Sequence, residues 1–250
     1  MCELFGMSAN RPTDVNRSLA LLRPRGGEIG PHSDGWGVAF YEGRAARIFK
    51  EPVPAAESRC LAFISDYGWQ SHIVVGHIRR ANPARFGRSS ANTHPFEREL
   101  GGHSWVFAHN GKLDGLREDP VFVPRRFLPI GETDSELAFC LLLEAIACGG
   151  TGSSRLSVVE AIWPLIDRLA RIGEFNFLLS DGECLFVHAH THLYMLHRSC
   201  HEDGCDQEVT LLATSPLTEE IWAPLAGLHV FADGRELICP SRLRAKEMLA

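Results

Sequence analysis

Cys2 is the residue of this 250-residue chain whose position could do the most chemistry. It stands directly behind the initiator in Met1-Cys2-Glu3-Leu4-Phe5-Gly6, so loss of one residue would place its thiol beside a free α-amino group. A thiol attacks as thiolate, and an α-amino group titrating near about 7.7 to 8.0 is partly neutral at pH 7 and can accept the thiol proton. Aminopeptidases that remove the initiator favour a small second side chain, and cysteine is small. Leu4 and Phe5 open an apolar run that would fix the new terminus at a strand end. Taken by itself, Cys2 reads sooner as an early residue of a buried strand, so other residues must decide.

A zwitterionic amino acid bearing a side-chain amide asks a site for a cation, an anion, a nucleophile and oxyanion donors. Arg79, at the end of an apolar run over 72–78, can hold an α-carboxylate in a bidentate fork. Asp134 falls in the first turn of an expected helix, where the positive helix terminus favours a carboxylate that can receive an α-ammonium. Asn110 and Gly111, behind the apolar run 105–109, offer a side-chain amide and a backbone N–H to a developing oxyanion. Singly these are weak signals, because Asn-Gly is common in hairpin turns and lone charges are mostly solvated.

The elements that must carry them are those of an α+β protein. Strands are expected at 4–6, 35–41 and 44–49 with a turn at Glu42-Gly43, then 72–78 and 105–109. Later strands are expected over 175–179, 184–190, 193–196 and 209–214, with a last hairpin over 228–238 around Asp233-Gly234. Helices are expected near 15–22, 55–66, 134–148 with Thr133 as cap, and 158–172, where Pro164 suggests a kink or a fresh start. Strands, two long helices and strands again predict layered sheets covered by helices. No repeat or linker interrupts the chain, so one domain over 1–250 is expected.

Composition narrows the partners. A net charge of -6, a pI near 6.1 and no basic block argue against nucleic acid or an anionic membrane, and favour a small polar substrate. No apolar run is long enough to span a bilayer and no signal-peptide pattern opens the chain, so a cytoplasmic protein is expected. The eight cysteines show no C-x-x-C spacing and are expected to be mostly reduced core residues.

Met1-Cys2, His77-Ile78-Arg79, Asn92-Thr93-His94-Pro95, His109-Asn110-Gly111 and Glu132-Thr133-Asp134-Ser135-Glu136 resemble, in order and spacing, the motifs of class II glutamine amidotransferases. The runs 2–10, 30–37 and 175–182 are similar to the stand-alone YafJ-like branch and extend the match to most of the chain. The resemblance implies a four-layer αββα Ntn-hydrolase sandwich of two mainly antiparallel sheets. It implies Cys2 as nucleophile, Asn110 and Gly111 as the oxyanion hole, and Arg79, Asp134, His94 and Thr133 as substrate-binding residues, with no cofactor. The substrate would be glutamine or another γ-glutamyl compound, cleaved through a thioester. Two departures are expected to matter: Arg80 stands where synthases with this domain often have Trp, and with one domain expected, any ammonia-accepting protein would be separate. Two other classes compete, a non-catalytic binding module on the same scaffold and a metal protein built on His188, His190, His192, His197, Cys200, His201 and Cys205. Intact Cys2, Asn110, Gly111 and Asp134 count against the first, and spacings that fit no closed zinc pattern count against the second.

Overall fold

The computed structural model describes residues 2–81, 87–149, 154–201 and 206–239. In chain order these form β1 (Glu3–Asp14), α1 (Asn16–Leu22), β2 (Trp36–Glu42), β3 (Ala45–Glu51), α2 (Arg59–Tyr67) and β4 (Gln70–Ile78). Next come β5 (Phe96–Leu100), β6 (His103–Leu113), α3 (Asp134–Gly149) and α4 (Arg155–Ala170). The chain continues through β7 (Gly173–Ser180), β8 (Leu185–Ala189), β9 (Tyr194–Cys200), β10 (Gln207–Ala213), β11 (Ala223–Pro224), β12 (Gly227–Ala232) and β13 (Arg235–Ile238). Two antiparallel sheets result, one ordered β11-β9-β10-β1-β4-β2-β3 and the other β13-β12-β8-β7-β6-β5.

Alternation along the strands creates three apolar layers, because successive side chains leave a strand on opposite faces. Leu4 of β1 points between the sheets, where it packs with Val75, Val106, Leu178, Val187 and Leu212. Its neighbours Phe5 and Met7 point the other way, onto a layer closed by Leu19 and Leu22 of α1 and Leu61 and Ile64 of α2. On the far side, Phe107, Phe175 and Phe177 meet Phe139, Leu142 and Leu143 of α3 and Ile162 and Ile166 of α4. The layers therefore run helix, sheet, sheet, helix, as the α+β sandwich expectation required. Because β1 is buried on both faces, replacing Phe5 by Ala should cost about 3–5 kcal/mol.

Most expected elements are present, with three differences. The expected helix over 55–66 begins with a separate turn of 3-10 helix, Ala55–Glu57, and α2 starts only after Ser58, whose Oγ accepts the Leu61 N–H at 2.9 Å. Pro164 does not restart a helix: α4 runs through it, since Val158, Val159, Ile162, Ile166 and Leu169 keep one buried stripe on both sides of the proline. Strand β5 was not expected, because Phe96-Glu97-Arg98-Glu99-Leu100 is apolar only at its ends; it is an edge strand that pairs β6 alone. Thr133 caps α3 as expected, its Oγ1 accepting the Glu136 N–H at 3.2 Å. The Asp233-Gly234 turn has positive φ at both residues (52° and 74°), the backbone that a two-residue hairpin favours.

Candidate active site

The site forms where one end of each sheet meets the other. In the first sheet β1 and β4 are antiparallel, with Glu3 opposite Ile78, so Cys2 comes to rest beside the residues that follow β4. The Cys2 thiol sits against the Arg80 backbone, accepting its N–H at 3.3 Å and facing its carbonyl at 3.5 Å. From the second sheet, β6 delivers Asn110, fully buried, whose Oδ1 accepts the Cys2 N–H at 2.8 Å. Residues 108 positions apart in the chain thus meet at the nucleophile's nitrogen.

A cavity of about 380 Å³ opens in front of the thiol. Cys2, Arg79, His94, Gly111, Thr133 and Asp134 all line it, while Asn110 lies behind them against the Cys2 nitrogen. Arg79 is held by its own backbone, its N–H bonding Gly35 O at 2.7 Å, and by a contact of its Nη1 with Asp34 O at 3.4 Å. Burial pulls its guanidinium below the ordinary value, while the nearby Cys2 and Asp34 push it back up; an arginine remains charged. Asp134, the first residue of α3, receives the Leu113 N–H on Oδ2 at 2.7 Å, which ties the helix start to the end of β6. Gly111 must lack a side chain, since a Cβ there would lie 1.9 Å from Glu174 O of the paired strand β7.

Burial is the largest influence on the Cys2 thiol and raises it above its ordinary value, with Asp134 adding to the rise; the Arg80 N–H and Arg79 work in the opposite direction. At rest the sulfur is therefore held as thiol, and a base is needed at the moment of attack. Three histidines stand behind it. His77 lies tilted against His94 with ring centroids 4.1 Å apart, and its Nε2 donates to His109 O at 3.1 Å. His109 in turn engages Ser135 Oγ through Nδ1 at 2.8 Å and Glu174 O through Nε2 at 3.1 Å. Burial lowers all three, His77 to about 3, so they are neutral at pH 7 and lend the pocket polarity without charge.

The sequence reading placed Asn110 and Gly111 together as oxyanion donors. In the structure Asn110 has an earlier task, its oxygen serving the Cys2 nitrogen and its Nδ2 reaching Thr214 Oγ1 at 3.3 Å. Thr214 and Glu174 escaped that reading, and Ser135 entered it only as part of a motif; Thr214 sits 104 residues from Asn110, just past the end of β10. Of the histidines in the metal reading, His188, His190 and His192 face separate partners or solvent. His188 is buried and donates Nδ1 to Phe175 O at 2.6 Å, His190 faces the Phe175 N–H through Nδ1 at 3.3 Å, and His192 is exposed. His197 and His201 instead engage Glu208, which also pairs with Arg235 at 2.8 Å; Cys205 lies outside the described residues.

Comparison with known proteins gives the same picture. The family model for class II glutamine amidotransferases matches residues 1–205. YafJ of Escherichia coli (strain K12), which its name assigns provisionally to the glutamine amidotransferases, is 42% identical over 242 residues, covering 89% of this chain and 93% of that one. A similarly named protein of Haemophilus influenzae is 37% identical over 258 residues, covering 95% of this chain and 86% of its own. The 2.0 Å crystal structure of a predicted glutamine amidotransferase from Pseudomonas aeruginosa superposes with a TM-score of 0.72 at 35% identity, covering 95% of this chain and all of that one. With an αββα Ntn-hydrolase sandwich and motifs that meet at one cavity, the chain belongs to the class II glutamine amidotransferases.

Proposed function

We propose that the chain hydrolyses the side-chain amide of glutamine to glutamate and ammonia, through a thioester on Cys2 formed after Met1 is removed. The observation that carries this reading is the contact between the Cys2 nitrogen and Asn110 Oδ1 at 2.8 Å, with the thiol facing a cavity walled by Arg79 and Asp134. In the mature protein that nitrogen is an α-amine. Asn110 orients it by accepting an N–H, which leaves the nitrogen lone pair for the thiol proton. Sulfur then attacks the amide carbon, the negative charge on the carbonyl oxygen is met by the Gly111 N–H and the Asn110 amide, and the amine passes its proton to the leaving ammonia. Water, deprotonated by the same amine, cleaves the thioester and releases glutamate.

Arg79 and Asp134 take the α-carboxylate and the α-ammonium, so a zwitterionic end is bound with both charges matched. His94 and Thr133 complete that wall. The histidines are poor candidates for the base, since the sulfur's polar partners are the Arg80 backbone atoms, while His77 and His109 have Nε2 turned to carbonyls. The test is Cys2→Ala. Glutamine hydrolysis should vanish while thermal unfolding is unchanged, and an electrophilic glutamine analogue should add its mass to the peptide that begins at Cys2 in the wild type. Full turnover by Cys2→Ala, or labelling at Cys60 or Cys140 instead, would refute the mechanism.

A second substrate class is favoured by the extent of the cavity, whose wall also includes Lys112, Asp114, Gly115 and Arg117. Its volume falls in the range that accepts a ligand larger than a single amino acid. A γ-glutamyl peptide or amine would use the same clamp and the same nucleophile, with a larger group leaving in place of ammonia.

A further inference from the structure

We infer that Thr214 is a positioning residue that sets the orientation of Asn110 and thereby the basicity of the Cys2 amine, an inference that rests on the proposed function. Thr214 follows β10 directly and is 6% exposed. Its Oγ1 accepts the Leu4 N–H at 2.9 Å and the Asn110 Nδ2–H at 3.3 Å, and its own N–H donates to Leu4 O at 3.2 Å. One hydroxyl thus joins Leu4, two residues after the nucleophile in the first sheet, to Asn110 of β6 in the second, which bonds the nucleophile's nitrogen.

A carboxamide has two unlike ends, an oxygen that accepts and a nitrogen that donates. With its nitrogen on Thr214, Asn110 presents its oxygen to Cys2 N, and the neutral amine donates there while its lone pair stays free for the thiol proton. The opposite orientation would direct an N–H at the amine and occupy that lone pair, so the amine could no longer act as base. Of the two N–H bonds on Asn110, Thr214 takes one, and the second is left for the developing oxyanion. An apolar side chain at 214 would strand the Asn110 and Leu4 donors in a buried place, where an unmet donor is costly. The Asn110 amide would then be free to turn its N–H toward the amine. Thr214 touches neither substrate nor sulfur in this arrangement and does not line the cavity.

The experiment compares Met1-processed wild type with Thr214→Ser, Thr214→Cys and Thr214→Val, reading kcat, KM and the pH profile of kcat/KM for glutamine or the best γ-glutamyl substrate. Serine keeps the hydroxyl and should stay within about threefold of the wild type. Valine should lower kcat about tenfold, less than the about 100-fold that follows outright loss of an oxyanion donor. KM should hold within about twofold, because Arg79 and Asp134 are untouched. In valine and cysteine variants the acidic limb of the profile should move to lower pH by about half a unit, since the ammonium form loses its acceptor while the neutral form gains a donor. A merely structural role would reduce the amplitude of the profile without moving that limb. If valine prevents folding, cysteine, close in size to serine but a weak acceptor, carries the same prediction. Wild-type activity that survives Thr214→Cys with an unmoved limb, or an unmoved limb in a folded Thr214→Val, or a Thr214→Ser as impaired as valine, overturns the assignment. A wild type inactive on every γ-glutamyl substrate would instead overturn the proposed function.

Discussion

Lowering the pH from 7.5 to 5.5 should destabilise this protein by an amount that can be worked from two histidines. His77 is lowered from 6.5 to about 3 and His188 to about 4, in both cases chiefly by burial. A folded-state value below the unfolded one means that the unfolded chain binds more protons between them, so stability is present above about 6.5 and drains away as pH falls toward the folded value. At pH 5.5, one unit below the unfolded value and well above both folded values, each histidine has withdrawn about 1.4 kcal/mol. Together they remove nearly 3 kcal/mol, a large part of a stability that is typically about 5–15 kcal/mol. His94 and His109 act in the same direction. Burial raises the carboxyls of Glu3 and Asp181, which opposes the trend, but only as the pH nears the carboxylate range, hence the end point of 5.5. Urea unfolding at the two pH values measures the loss. The sharper comparison is His188→Gln, on a strand away from the sulfur, which removes one of the two titrations and should shrink the difference by about 1.4 kcal/mol whatever it does to stability at pH 7.5. An unchanged pH dependence in that variant would refute the claim that a buried neutral imidazole is responsible.

The other expectations concern the site. Arg79→Ala and Asp134→Ala should raise KM strongly with smaller effects on kcat, whereas Asn110→Ala should lower kcat by about 100-fold or more at nearly constant KM; steady-state kinetics showing the reverse division would refute the assigned roles. Intact mass should show loss of Met1 in active protein, and a leader that blocks processing should abolish turnover until it is cleaved away. Gly111→Ala should prevent β6 from pairing β7 and either abolish folding or lower the melting temperature steeply, because the added Cβ would overlap Glu174 O.

How much of this was legible beforehand depends on the distance over which a residue's partner lies. Thr133 beside Asp134 announces a helix start and Asp233-Gly234 a hairpin, because cap and turn chemistry is local; both are where the sequence placed them. Arg79, Asn110, Gly111 and Asp134 were identified by type and motif, and the fold explains their convergence, since each stands at or near the end of β4, β6 or the start of α3. What stayed hidden was long-range and polar. Neither Thr214, just past the end of β10, nor Ser135, which the motif includes without a role, carries a pattern of its own; their roles exist only once β10 lies beside β1 and α3 over β6. The direction of the Asn110 amide was hidden for the same reason, being set by Cys2 just before β1 and Thr214 just after β10. Strand β5 was lost because an edge strand with charged interior residues lacks the apolar alternation by which strands are recognised.

The natural substrate is decided by what fills the cavity beyond the clamp. If the chain delivers ammonia to a separate acceptor protein, free glutamine should be turned over slowly by the isolated chain and faster when the acceptor binds, because exclusion of water would await that contact. If the leaving group is larger, its binding energy is available without any partner, and a γ-glutamyl peptide or amine should exceed glutamine in kcat/KM by the interactions the leaving group makes with the cavity wall. A panel of glutamine, γ-glutamyl amines and γ-glutamyl peptides assayed on Met1-processed enzyme separates the two. The arithmetic is favourable to a clear answer, since a single well-placed charge-assisted contact is worth about 1.5–3 kcal/mol, or roughly ten- to a hundredfold in kcat/KM. A preference of that size for a γ-glutamyl peptide or amine over glutamine would establish the larger leaving group. Equal kcat/KM across the panel would refute it and leave the ammonia-delivering reading, whose own test is the rise in glutamine turnover on adding the acceptor.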